Sequence, residues 1–135
     1  MKKLLLIMFF MAFVSAGAYS QSNNQDDAVY QITDEPAKFP GEGKGVENVM
    51  KFISENMKYP AEAKANNIQG KVIVKFIVER DGSLSDIKVM RPLGYGCNEE
   101  AIRLVKSMPK WEPGKKGGKA VRTSFMLPIQ FQLPK

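Results

Sequence analysis

The chain contains no histidine, so its usual general base and its usual metal ligand are both missing. Its one cysteine, Cys97, cannot assemble a zinc site by itself. Glu99 and Glu100 look like a carboxylate pair, but adjacent helical residues diverge, and acids in a first turn ordinarily complement the helix dipole. The run "PGEGKG" (residues 40–45) suggests a phosphate loop, yet P-loop spacing, a Ser or Thr after the lysine and a preceding strand are all missing. It reads as a flexible turn before a helix. Trp111 reads as a packed anchor beneath a sheet, and Lys115, Lys116, Lys119 and Arg122 as a solvated basic loop. These residues predict a protein that is not an enzyme and needs no cofactor or metal.

A chain of 135 residues with 44% apolar content allows one modest domain. Lys2 and Lys3 precede an apolar run from Leu4 to Val14, and Ala16-Gly17-Ala18 supplies a small-residue cleavage site, so residues 1–18 read as a secretory signal. Loss of that segment removes two lysines and no acids, taking the formal charge from +6 to +4. This mild bias suits an anionic envelope surface, and scattered lysines in an exported protein give no nucleic-acid footprint. One cysteine cannot close an internal disulfide, so Cys97 is expected either as a small buried residue, the favoured reading, or as a free thiol able to pair between molecules.

Residues 19–38 are polar and predict a flexible lead-in, with at most a short ordered piece around Val29 to Ile32. The domain is expected to span residues 39–135. Val46, Val49, Met50, Ile53 and Met57 recur at spacings of three and four, which predicts an amphipathic helix. Tyr59-Pro60 ends it and opens a helical stub that Asn66, Asn67 and Gly70 stop. Val72, Val74, Phe76 and Val78 alternate as in a half-buried strand, and Asp81-Gly82 turns it into a second strand, "LSDIKVMR". Leu84 and Ile87 differ in parity, so a bulge or a buried second face is expected there. Asn98 is placed to cap a helix with Ala101, Ile102, Val105 and Met108 as its apolar stripe. A last strand follows, with Val121, Thr123, Phe125, Leu127, Ile129, Phe131 and Leu133 on one face. The order predicts a two-layer α+β domain: a three-stranded antiparallel sheet, in the order second, first, third, with helices on one face.

Several of these features occur together in one known family. Tyr59-Pro60 with Ala63, Gly70 before a strand, Asp81-Gly82, Glu100-Ala101, and Met108-Pro109 followed by Trp111, Pro113 and Gly114 form an ordered set. With it, Phe39 to Leu133 resembles the C-terminal domain of TonB energy transducers, of the type common in Bacteroidetes-like bacteria. The resemblance implies a periplasmic module that grips the N-terminal box peptide of a TonB-dependent outer-membrane transporter by strand addition. It also implies contact with an inner-membrane motor complex if the apolar leader is retained as an anchor. The alternative is a free-standing structural or regulatory envelope protein that forms a homodimer or touches peptidoglycan.

Pro128 indicates which edge would accept the peptide. Proline has no N–H, so within a strand it is tolerated where that side of the backbone is unpaired. If its nitrogen faces an open edge, the backbones of Ser124, Met126, Gln130 and Gln132 face that edge too, because successive residues alternate. These five residues are the expected partner-binding site.

Overall fold

The computed structural model describes residues 28–134; the leader, the Ala18 cleavage site and the lead-in as far as Asp27 lie outside that range. Two long antiparallel strands form its centre, β2 (Gly70–Val78) and β6 (Arg122–Phe131), in unbroken register from Gly70 opposite Phe131 to Val78 opposite Thr123. Strict alternation dictates this arrangement. Val72, Val74, Phe76 and Val78 are completely buried on one face, joined by Leu127, Ile129 and Phe131. β3 (Leu84–Arg91) pairs with the far side of β2.

The expected order of these three strands holds, but the sheet has a fourth. β1 (Val29–Tyr30) adds to the outer side of β6 in parallel, with Val29 opposite Arg122 and Tyr30 opposite Thr123. The sheet is therefore mixed, in the order β1-β6-β2-β3, and not all-antiparallel. Two residues cannot carry a readable period, which is why β1 is invisible in the sequence. The lead-in is also ordered from β1 onward. Lys38 and Glu112 exchange two backbone hydrogen bonds of 2.9 and 2.8 Å, and Ala37 is buried with Phe39. The glycine-rich basic loop forms a small hairpin of β4 (Lys115–Lys116) and β5 (Lys119–Ala120), turned by Gly117 and Gly118 at positive φ.

The helices of the described residues cover the buried face. α1 (Gly45–Asn56) buries Val49 and Ile53 but leaves Val46 and Met50 exposed, so only part of its apolar stripe reaches the core. α2 (Ala61–Ala65) is the helical stub. Its Ala63 is completely buried, and the Ala63 carbonyl accepts the Ile68 N–H at 2.8 Å where Asn67 turns the chain at φ +53. The Tyr59 hydroxyl donates to the Ile68 carbonyl, and its ring packs edge-on against Phe131. The stub thus reverses the chain over the end of the sheet and delivers it into β2.

α3 (Cys97–Lys106) lies over β2 and β3. It buries Cys97, Ala101, Leu104 and Val105, so Leu104 takes the core position expected of Ile102. Asn98 does not cap it. Gly96 precedes the helix at φ +85, while the Asn98 side chain accepts the N–H groups of Leu93 and Gly94 at 2.8 and 3.3 Å. The parity break in β3 is a bulge: register shifts flank Val74–Lys75, and Asp86 sits at φ +50, so Leu84, Ile87 and Val89 all reach the core.

Candidate functional site

β6 carries the residues expected to meet a partner. Ser124, Met126, Pro128 and Gln130 stand opposite Ile77, Lys75, Ile73 and Lys71 of β2, and Gln132 follows the last strand residue. Their side chains leave the core face, and Met126, Pro128, Gln130 and Gln132 are exposed. β1 pairs only with Arg122 and Thr123, so among the described residues β6 has no strand on its outer side from Ser124 to Phe131. That stretch is about 26 Å long at the usual rise per strand residue.

The sheet has a second outer strand, and the two edges are unlike. β3 is kinked by its bulge and carries Lys88 and Arg91, features that blunt an edge against pairing. β6 is regular throughout.

α1 borders the end of β6 at Gln130 and Gln132, and two hollows open along the helix. One, of about 350 Å³, is lined by Met50, Ile53, Ser54 and Met57 with Gln130 and Gln132. The other, of about 420 Å³, lies by Val46, Val49, Phe39, Trp111 and Phe125. No motif or spacing in the sequence marks these hollows directly. Their one sequence signal was an apolar stripe on α1 wider than the core uses.

Beneath the second hollow the aromatic rings lock together. Trp111 meets Phe39, Phe76 and Phe125 edge-on at centroid distances of 5.7, 5.3 and 4.9 Å, which fixes it as a core anchor. Arg122 belongs to the strand and not to the basic loop. It donates to Glu79 at 2.8 Å, and that hydrogen bond, with one from Ser85, holds the Glu79 carboxyl below its ordinary range.

Glu100 also departs from its expected place. Its carboxylate is buried and accepts the Lys58 N–H at 2.6 Å and the Arg103 Nε and Nη2 at 2.6 and 2.7 Å. Arg103 in turn donates to the Asn56 carbonyl at 2.9 Å, so this cluster ties the end of α1 to α3. Burial alone would raise the Glu100 carboxyl, but the Arg103 and Lys58 hydrogen bonds outweigh it and bring it below the ordinary value. Burial, with Glu99 and Glu100 nearby, pushes the Cys97 thiol up. Among the described residues no cluster of three His, Cys, Asp or Glu could hold a metal ion, and no helix is long and apolar enough to cross a membrane.

Fold and edge together define a class: a small α+β domain with one regular, unpaired strand edge flanked by a partly exposed helix. Residues 55–133 match the Gram-negative bacterial TonB protein C-terminal family, and the chain belongs to that family. Protein TonB of Pseudomonas aeruginosa is 28% identical over 102 residues, which cover 74% of this chain and 29% of that protein. Protein TonB of Escherichia coli is 33% identical over 66 residues, 48% of this chain and 28% of the relative. The chain thus spans less than a third of the relatives it matches. Two solution structures of the Helicobacter pylori TonB C-terminal domain superpose with a TM-score of 0.51 at 27% identity, covering 67% and 70% of this chain and 81% and 99% of theirs.

Proposed function

We propose that the domain binds the N-terminal box peptide of a TonB-dependent outer-membrane transporter, the peptide adding as a strand to β6 between Ser124 and Gln132. The observation that carries this reading is the unpaired outer side of β6, in a domain of the TonB C-terminal family. Pairing with β2 runs straight through Pro128, opposite Ile73. A proline in an uninterrupted ladder turns its nitrogen outward, which puts the backbone groups of Ser124, Met126, Gln130 and Gln132 on the same free side. The peptide loses one ladder bond at Pro128 and gains the others.

A strand in that place sends alternate side chains toward α1, where the hollow lined by Met50, Ile53 and Met57 accepts apolar groups. The module works in the periplasm, in energy-dependent transport across the outer membrane. If residues 1–18 persist as an anchor, the reading extends to contact with the inner-membrane motor complex. Titrating an isotope-labelled domain with a synthetic box peptide tests the reading. Backbone amide shifts concentrated at residues 124–132, with new cross-strand contacts, are expected. Shifts concentrated along β3, or no saturable shift, would overturn it.

A further inference from the structure

Among the described residues no helix packs on the sheet face opposite α1–α3, and strand register dictates what it displays. Lys75 stands between Lys88 on one side and Met126 on the other, while Ile73 lies between Arg91 and Pro128. Like charges directly opposite on neighbouring strands weaken a sheet, so the Lys75–Lys88 pair carries a local cost. Asp86, in the bulge, reaches Lys88 at 3.5 Å. Among the described residues Lys71, Lys75 and Arg91 have no ion-pair partner. Apolar groups sit among these cations: Met90 and Met126 are 51% and 53% exposed. A hollow of about 360 Å³ is lined by Lys75, Lys88, Met90 and Ile77, with Asp86 and Ser124 also on its wall and the β1 end at its border.

We propose that this face docks on an anionic lipid bilayer, with a lipid phosphate held between Lys75 and Lys88 while Met90 and Met126 enter the headgroup boundary. Lysine stems lie along apolar surface with their ammonium groups at the phosphates, and the methionines contribute burial that a purely aqueous anion gives no use for. A second copy of the chain is a poor occupant, because apposed faces would bring the same cations together. An extended peptide is a poor one as well: it needs a backbone ladder, and these groups spread across three strands whose ladders on this face are already made. The face shares Met126 with the β6 edge, but it uses that residue's side chain where the peptide reading uses its backbone, so docking here does not depend on the peptide-binding reading.

Co-sedimentation with phosphatidylcholine vesicles, with and without one-third phosphatidylglycerol, tests the proposal on residues 19–135, the chain without its apolar leader. Binding to the anionic vesicles only, falling as salt rises, is expected. Lys75→Gln with Lys88→Gln lowers partitioning by roughly twenty-five-fold, at about fivefold per cation. Met90→Asp lowers it further. Lys64→Gln with Lys106→Gln, the same charge change on the helical side, leaves it unaltered. Equal loss in both double variants would overturn the proposal, as would no binding at low salt. Complete competition by free inorganic phosphate or by polyglutamate would also overturn it, since either result means a soluble anion site. Far-ultraviolet melting of each variant confirms that the fold is kept.

Discussion

Gly82 adopts φ +89, and a β-carbon there would stand 2.1 Å from the Trp111 carbonyl oxygen. The contact is backbone against backbone, and Trp111 also donates its N–H to the Gly82 carbonyl at 2.8 Å, so neither side can give way. Gly82→Ala is expected to lose about 3 kcal/mol or more, combining left-handed strain with the clash. Gly118→Ala, at φ +81 with nothing near its β-carbon, should lose only about 1 kcal/mol. The difference in denaturant midpoint isolates the clash. Glu100 gives a second test. Its folded carboxyl titrates below the ordinary value of 4.5, so its contribution is complete above the unfolded pKa and disappears as pH falls through the folded one. Glu100→Gln should therefore be less stable than the parent near neutrality, by about 1–3 kcal/mol because the Lys58 N–H and Arg103 lose a charged, buried acceptor. The gap should close in acid. A gap that persists unchanged to low pH would mean that the carboxylate's charge contributes nothing.

β2 and β6 were legible because every second side chain enters the core, a period that survives any detail of tertiary packing. Elements that depend on distant partners were not. The bulge at Asp86 moves parity within β3, and β1 is defined only by what it pairs with. Asn98 has the chemistry of a helix cap, but the positive-φ run Gly94, Tyr95, Gly96 carries the chain round so that its carbonyl meets Leu93 instead. Of the candidate site, the strand and Pro128 could be read from sequence, whereas the α1 hollows required the helix to be set beside it. The edge makes a sharp prediction at this scale. Met126 stands opposite Lys75 and Ile129 opposite Val72, at alternate positions of one ladder. Met126→Pro should weaken box-peptide binding with little change in melting, because its N–H turns outward. Ile129→Pro should destabilise by about 3 kcal/mol or more, as the internal bond and a buried side chain are both disturbed. If both variants melt alike, or if Met126→Pro binds peptide normally, β6 is not the dock.

Across the whole molecule, the N-terminal segment matters more than its polar composition suggests. After β1 it hydrogen-bonds to the base of the β4–β5 hairpin, where the Asp34 and Glu35 N–H groups donate to the Lys115 carbonyl, and it then pairs Lys38 with Glu112. Ala37 and Phe39 close over Trp111 and the second α1 hollow from that side. The segment also occupies β6 at Arg122 and Thr123 and so sets one end of the free edge. If it is part of the domain, breaking its attachment at one point should lower global stability; if it is a tether resting on the surface, it should not. Lys38→Pro removes the N–H that bonds to the Glu112 carbonyl, in a stretch where the neighbouring Ala37 is buried. A loss of about 1–3 kcal/mol is expected, and each kcal/mol lowers the melting midpoint of a domain this size by roughly 4–8 °C. The same variant should loosen β1 and leave Arg122 and Thr123 open to longer peptides, so the preferred peptide length should rise as stability falls. Unchanged melting in Lys38→Pro would place the start of the folding unit at Phe39 and reduce residues 28–38 to a passenger.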